Sequence, residues 1–218
     1  MTQAIHCVRE QCRPLSTVAM RAAAITVLLL TMAACGVRTV EVRGTYPSPN
    51  VPPLPLTLGV YYGEGVRDFV YTEMSDRGKE EYRVLSGNSH VDLFNTVLPA
   101  MFQQVVVLDD PANASARGVD AVFVPVIDEF QLGMPQKTRL DSYEVWIRYN
   151  MRLVEADGDY IADWVMTAYG KTTQDGFSTT ERGINGAAVA ALRDLASNFS
   201  ISLTSIPDVE NWLRPQLQ

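Results

Sequence analysis

The chain has 218 residues, of which 47% are hydrophobic and 20% charged, a composition typical of one globular domain with its own core. Its formal net charge is -7, and the sequence contains no basic run. This charge excludes an electrostatic surface for nucleic acid, and it also excludes attachment to an anionic membrane through charge alone.

The first distinctive segment is the apolar run over residues 22–34, which follows Arg21 directly. A transmembrane helix needs about twenty residues, so this run is too short to cross a bilayer. Its length and the positive charge before it are typical of the hydrophobic region of a secretory signal peptide.

This run ends in the sequence "AACG" at positions 33–36, which resembles the lipobox of bacterial lipoproteins. The resemblance implies that residues 1–34 are a signal peptide, that the Cys35 thiol carries a diacylglyceryl group, and that the new amino terminus is acylated, with palmitate as the expected chain. An Asp directly after the lipidated cysteine commonly retains such proteins in the inner membrane, and this chain has Gly36 at that position. The resemblance therefore implies an anchor at the periplasmic face of the outer membrane.

Removal of the signal peptide leaves Cys35 as the only cysteine, so an internal disulfide is excluded. For residues 1–19 two interpretations stay open. Either translation starts at Met20 and these residues are an extension of the given sequence, or they form a long n-region of the signal peptide. Residues 35–53 hold four prolines and little apolar periodicity, which predicts a lipidated, extended tether. Residues 54–218 then form a single domain.

The first half of this domain alternates strands with one helix. Five segments have the composition of strands, with the first two expected to pair as a hairpin: 54–62, 66–73, 80–85, 105–108 and 121–132. A helix is predicted within 87–104 because its apolar residues recur on one helical face, and Pro99 is expected to kink or shorten it. Pro125 in the last strand predicts a sheet edge or a bulge.

The second half begins with a long hairpin over 142–171. Apolar residues occupy alternate positions on both strands, and Asp157-Gly158 is a typical hairpin turn. A helix follows over 181–200, where small residues allow close packing on a sheet, and a short helix ends the chain near Pro215. This order of elements predicts an α+β fold: a two-layer sandwich with an antiparallel-rich sheet and two main helices on one face.

Residues with catalytic chemistry are few. The mature chain has one histidine, His90, which its position predicts to be a surface or capping residue; a His/Cys metal site and a Cys-His nucleophile are therefore excluded, and no cofactor is expected. Acidic residues occur in three pairs, each expected at a turn: Asp109-Asp110, Asp128-Glu129 and Asp157/Asp159. A hydrolase or a calcium site at these pairs is the minor alternative.

The solvent-facing side of the long hairpin is the best candidate for binding. Trp146, Arg148 and Arg152 alternate with its apolar series, and Trp164 on the return strand is expected to approach them. Aromatic and arginine side chains dominate the binding energy of many interfaces. The alternative is a solvated sheet face, or one covered by the tether or the terminal helix.

These features favour a non-enzymatic lipoprotein that binds a protein partner of the cell envelope. A lipobox, a proline-rich tether and a small two-layer domain resemble the accessory lipoproteins of envelope assembly and transport, and "CGVRTVEVRG" at 35–44 is similar to the start of LptE-like proteins. Two alternatives remain open: an envelope hydrolase that uses the paired carboxylates, and a lipid- or glycan-binding module with an apolar groove between helices and sheet.

Overall fold

The computed structural model describes residues 36–75, 78, 80–176 and 179–217. Eight strands lie in this part of the chain: β1 (Gly36–Glu41), β2 (Leu54–Tyr61), β3 (Val70–Met74), β4 (Glu80–Leu85), β5 (Phe102–Leu108), β6 (Ala121–Gly133), β7 (Ser142–Glu155) and β8 (Tyr160–Thr173). The helices in the same residues are α1 (Glu64–Arg67), α2 (Gly87–Met101), α3 (Pro135–Thr138), α4 (Thr180–Ser202) and α5 (Pro207–Gln216).

The strands form two sheets. The larger has the order β5-β2-β6-β7-β8, with parallel pairing at β5-β2-β6 and antiparallel pairing at β6-β7-β8. The smaller has the order β1-β4-β3. The predicted α+β class is confirmed, and so is the β7–β8 hairpin, whose turn contains Gly158 with φ 98.

The predicted hairpin between residues 54–62 and 66–73 is wrong. Residues 64–67 form helix α1, and β3 pairs with β4 instead. Both sides of β2 are occupied by parallel neighbours, β5 and β6. Since Leu56, Leu58 and Val60 of β2 are buried, this strand belongs to the core of the larger sheet.

The two long helices, α2 and α4, pack on one face of the larger sheet, as predicted. Phe94 of α2 shows this most directly, because its ring contacts Phe123 and Tyr149 of the sheet and Phe199 of α4, with centroid distances of 5.3, 6.4 and 5.8 Å. Each of these four rings is at most 1% exposed. The hydrophobic core therefore lies between this helical layer and the sheet.

Glycine allows α4 to lie very close to the sheet. A Cβ atom at Gly170 of β8 would lie 2.1 Å from the carbonyl oxygen of Ala187, and one at Gly183 of α4 would lie 2.2 Å from the ring of Tyr143. Neither distance is compatible with a side chain. The prediction that small residues permit close packing of this helix is confirmed at Ala187 and Ala191, whose backbone atoms face Gly170.

Residues 36–53 do not form the extended tether that the prolines predicted. β1 occupies the first six of these residues, and Val40, Val42 and Tyr46 are buried in the main core. The N–H of Val42 donates to the carbonyl oxygen of Leu85 in β4 (2.9 Å). The prolines alone indicate an extended segment. The apolar residues that precede them in the chain, however, pack on the domain.

Pro99 and Pro125, the two prolines expected to disturb a helix and a strand, have different outcomes. α2 continues through Pro99 to Met101, so the proline lies in the last turn of the helix. Pro125 lies just beyond Phe123, the last residue of β6 that pairs with β2, and a register shift follows between Ile127 and Glu129. A local edge and a bulge, the two features predicted from this proline, therefore both occur in β6.

A candidate binding face on the larger sheet

The face of β6–β8 that points away from α2 and α4 carries three of the four predicted binding residues, Trp146, Arg148 and Arg152. We call it the outer face and define it by ten residues: Val126, Glu129, Trp146, Arg148, Arg152, Asp163, Val165, Thr167, Tyr169 and Lys171. Its side chains alternate with buried ones because successive residues of a strand point to opposite faces. On β7 the buried series is Tyr143, Val145, Ile147, Tyr149, Met151 and Leu153.

Both arginines of the outer face are held by carboxylates. Arg152 forms a two-point pair with Asp163 of β8, with distances of 2.9 Å from Nε to Oδ1 and 3.0 Å from Nη2 to Oδ2. The Nε atom of Arg148 lies 3.9 Å from Asp128 Oδ2, and its Nη2 atom lies 3.6 Å from Glu129 Oε2, both on β6. The hydrogen bond to Asp163 raises the pKa of the Arg152 guanidinium, so this group keeps its charge.

Apolar side chains lie beside these ion pairs. Val126 is 45% exposed, Val165 59% and Tyr169 48%. Trp146 is partly buried and lies opposite Tyr169 in the β7–β8 register. The outer face thus combines aromatic and aliphatic area with oriented guanidinium groups, the composition that interface hot spots share.

Trp164 does not belong to this face, so the expectation that it approaches Arg148 and Arg152 is wrong. It pairs with Met151 on the helical side of the sheet, and its ring lies 6.2 Å from that of Phe123. Its parity with Ala162 and Ala168 in the sequence already indicated the inner face. Among the described residues its indole N–H has no acceptor, although it is buried.

The prediction of a surface or capping role for His90 is also wrong, because its side chain is fully buried. Its Nε2 lies 3.0 Å from Ser86 Oγ and its Nδ1 lies 2.5 Å from Tyr149 Oη. Neutral imidazole has one N–H and one acceptor nitrogen, so one hydroxyl donates to the ring and the other accepts from it. Burial lowers the pKa of His90 to about 3 and raises that of Tyr149, which keeps both groups neutral.

Two of the three carboxylate pairs lie at the same end of the fold, where the loop after β5 packs on the β7–β8 turn and Ser115 Oγ donates to the carbonyl oxygen of Ala156 (2.7 Å), but each pair holds local structure. Asp110 accepts a hydrogen bond from Ala112 N (2.9 Å), and Asp157 accepts one from Asp159 N (3.1 Å), whereas Asp128 and Glu129 face Arg148. Within the described residues, no group of three His, Cys, Asp or Glu side chains has the geometry to hold a metal ion. These carboxylates therefore act as turn and ion-pair residues.

An apolar space also lies between the sheet and the C-terminal helix. Residues from β2, β5, β6, β7, α4 and α5 line it, together with Leu203 between the two helices, and the partly buried Trp212 of α5 is one of its walls. Only about 10 Å³ is open to a water-sized sphere, which corresponds to about one water molecule. A lipid chain or a sugar does not fit unless α5 moves.

The proposed lipidation residue, Cys35, and the predicted signal peptide, 1–34, lie outside the described residues. In the part of the chain that is described, no helix is both long enough and apolar enough to cross a membrane.

Comparison with known proteins finds solved structures of partial similarity but no family. No protein-family model and no curated protein matches the sequence. The chain is similar to a solved Xanthomonas campestris protein of family DUF330, with 13% identity, a TM-score of 0.46 and coverage of 75% of this chain and 91% of that one.

Two further solved structures with a similar course of the chain are lipoproteins by name. A minor lipoprotein from Acinetobacter baumannii has 13% identity and a TM-score of 0.41, covering 71% of this chain and 94% of its own. A lipoprotein from Neisseria meningitidis has 14% identity and a TM-score of 0.30, covering 66% of this chain and 99% of its own.

Proposed function

We propose that this protein is a non-enzymatic envelope lipoprotein that is anchored through Cys35 and binds a protein partner with its outer face. The observation that carries the proposal is the combination on one sheet face of Trp146, two carboxylate-held arginines and the exposed Val126, Val165 and Tyr169. Accessory work in envelope assembly or transport, at the periplasmic side of the outer membrane, is the role that suits such an anchor and such a face.

Binding by this face requires little reorganisation. Its side chains project from three long paired strands, so the backbone is fixed before a partner arrives. Arg152 is already oriented by two hydrogen bonds, which reduces the side-chain entropy lost when an interface forms. A rigid sheet face of this kind favours a partner that presents a complementary surface rather than a small ligand.

The anchor also determines how far the face can reach. Strand β1 begins at Gly36, the residue after Cys35, and Val40 is already buried. A chain of five residues spans at most about 17 Å, so the packed segment shortens the connection that the prolines had suggested. We therefore expect the domain to act close to the membrane surface.

Photocrosslinking in living cells tests the proposal. A photoreactive amino acid at Val126 or Asn150 reports on the outer face, and one at Ser197, an exposed residue of α4, is the matched control. We expect the first two positions to crosslink to the same envelope protein and Ser197 to give no such product. The Cys35→Ser chain, which cannot be lipidated, should lose the crosslink.

Substitutions then show whether the face provides the binding energy. Trp146→Ala should weaken the crosslink at Asn150 at least about tenfold, since truncation of an aromatic hot spot commonly costs about 2 kcal/mol or more. Ile201→Ala, at an exposed position of α4 on the other side of the sheet, is the matched control and should leave the crosslink unchanged. Equal crosslinking from Ser197 and from the outer face would contradict the proposal.

A further inference from the structure

Strand β8 is the edge of the larger sheet and is unusually long for an edge. It has 14 residues, from Tyr160 to Thr173, and β7 is its only neighbour among the described strands. A long edge strand presents unpaired backbone groups to which another strand can be added, and proteins usually block such edges.

Hydrogen bonds to side chains show which backbone groups point away from β7. The N–H of Tyr169 donates to Asp194 Oδ2 of α4 (3.1 Å), and that of Asp163 donates to Tyr160 Oη (3.0 Å). Val165 and Thr167 share the parity of these residues, so their N–H groups also point outward. No described residue accepts a hydrogen bond from either, and the middle of the edge is therefore open.

We propose that this open edge pairs with the same strand of a second copy, antiparallel and centred on Thr167. In that register Thr167 lies opposite Thr167 of the second copy, Val165 lies opposite Tyr169, and Asp163 lies opposite Lys171. The solvent-facing series of β8 is thus complementary to itself when it is reversed, in charge at its ends and in apolar character between them. Exposed Val165 and Tyr169 would each gain a cross-strand neighbour.

The charges continue beyond the two edge strands. Within one copy Arg152 of β7 lies opposite Asp163 of β8, and Glu144 lies opposite Lys171. Self-pairing would create the row Arg152, Asp163, Lys171, Glu144, in which the last two belong to the second copy and the signs alternate throughout. The two copies are related by a two-fold axis at Thr167, and this axis generates a second, identical row at the other end of the pairing. No other centre on this strand places both Asp163 and Lys171 opposite a complementary charge.

Two groups compete with this pairing: Tyr160 Oη, which accepts the Asp163 N–H (3.0 Å), and Asp194. The Asp194 carboxylate accepts the Tyr169 N–H and is itself bonded to Asn198 Nδ2 (3.1 Å). The Thr167 pair and the Val165 N–H are open without any change, whereas the Tyr169 N–H becomes available only when Asp194 turns away. Asp194 thus limits the strength of self-pairing, whereas the charges at Asp163 and Lys171 determine the register of the two paired strands.

Disulfide formation in the membrane-anchored full chain tests the register. Directly opposed residues of a hydrogen-bonded antiparallel pair have Cα atoms about 5.5 Å apart, within the range of a disulfide. Thr167→Cys should therefore give a disulfide-linked dimer under mild oxidation. Val165→Cys and Tyr169→Cys are matched controls, because each cysteine would lie about 13 Å along the strand from the same cysteine in the second copy. These two variants expressed together should crosslink to each other.

A charge exchange tests the same register without cysteine. Lys171→Glu alone and Asp163→Lys alone each place like charges opposite one another at both ends of the pairing. An equal mixture of the two full-length variants in detergent restores opposite charges at both ends. We expect the mixture to associate roughly tenfold more tightly than either variant alone, measured by sedimentation.

The outcomes separate this inference from the proposed function. Equal disulfide formation at Val165 and Thr167, or a mixture that associates no better than its components, would overturn the self-pairing. The partner crosslinks at Val126 and Asn150 do not depend on either result. A loss of self-association in Thr167→Pro, which removes one outward N–H and no bond to β7, would support the open edge as the contact.

Discussion

The two faces of the β7–β8 hairpin are built from the same strands and have opposite properties. The inner face carries rings and aliphatic side chains that are almost completely buried against α2 and α4. The outer face carries ion pairs and side chains that are about half exposed. Adjacent residues of one strand therefore differ in role: inner positions stabilise the fold, whereas outer positions remain exposed and, in the proposed function, form the binding surface.

The largest effect should come from the closest packing on the inner face. Gly170→Ala places a Cβ 2.1 Å from the carbonyl oxygen of Ala187 and 2.2 Å from Ala191 N, so α4 must move away from β8. We expect a loss of about 3 kcal/mol or more in the free energy of unfolding, measured by urea denaturation.

The control for this substitution is Gly65→Ala. A Cβ at Gly65 has no neighbour within 4 Å, and the same added methyl should change stability by less than about 1 kcal/mol. A Gly170→Ala protein as stable as the control would show that α4 can shift without penalty, and the inner face would then be less tightly specified than its distances indicate.

A second effect, smaller over any single pH unit, should appear as a dependence of stability on pH. Because the pKa of His90 is about 3 in the folded protein and near 6.5 in the unfolded chain, the unfolded chain binds a proton first as the pH falls. The stability that this group contributes is present above pH 6.5 and is lost between about pH 6.5 and 3, by about 1.4 kcal/mol for each pH unit.

Comparison with a variant isolates this contribution. His90→Leu should be less stable at pH 7, because Ser86 and Tyr149 lose their partner, and its stability should fall less steeply below pH 6. Urea denaturation of both proteins at pH 7, 5.5 and 4.5 measures the two slopes. Parallel slopes would show that other groups cause the acid sensitivity.

The inner face could be predicted from sequence far better than the rest. The β7–β8 hairpin and α4 have strong local signals: alternation over many residues, an Asp-Gly turn and small residues at helical spacing. The parallel pairing of β2 with β5 and β6 has no local signal, because it joins strands that a helix and loops separate. β1 has no local signal for the same reason, because its neighbour in the sheet, β4, lies about forty residues away in the sequence. The sequence of this segment therefore predicts a tether and not a strand.

The candidate site was predicted in part. Trp146, Arg148 and Arg152 share one face because strand parity alone decides it, and alternation with the buried Ala162 and Ala168 of β8 places Trp164 on the other face. The carboxylates that hold the arginines depend on the register between strands, which the sequence does not state. The burial of His90 could not be predicted either, since both of its polar neighbours, Ser86 and Tyr149, face it only after α2 packs on the sheet.

The smallest effect should come from the outer face. Arg152 and Asp163 form a well-aligned pair, but the arginine side chain is 56% exposed and solvent screens its charge. A double-mutant cycle with Arg152→Ala and Asp163→Ala should give a coupling free energy of about 0.2–1 kcal/mol, measured by urea denaturation and reduced at high salt. A coupling of several kcal/mol would mean that this face contributes to the fold as the inner face does. A small coupling together with lost partner crosslinking in Arg152→Ala would place its role in binding, which is the division of labour that the two faces predict.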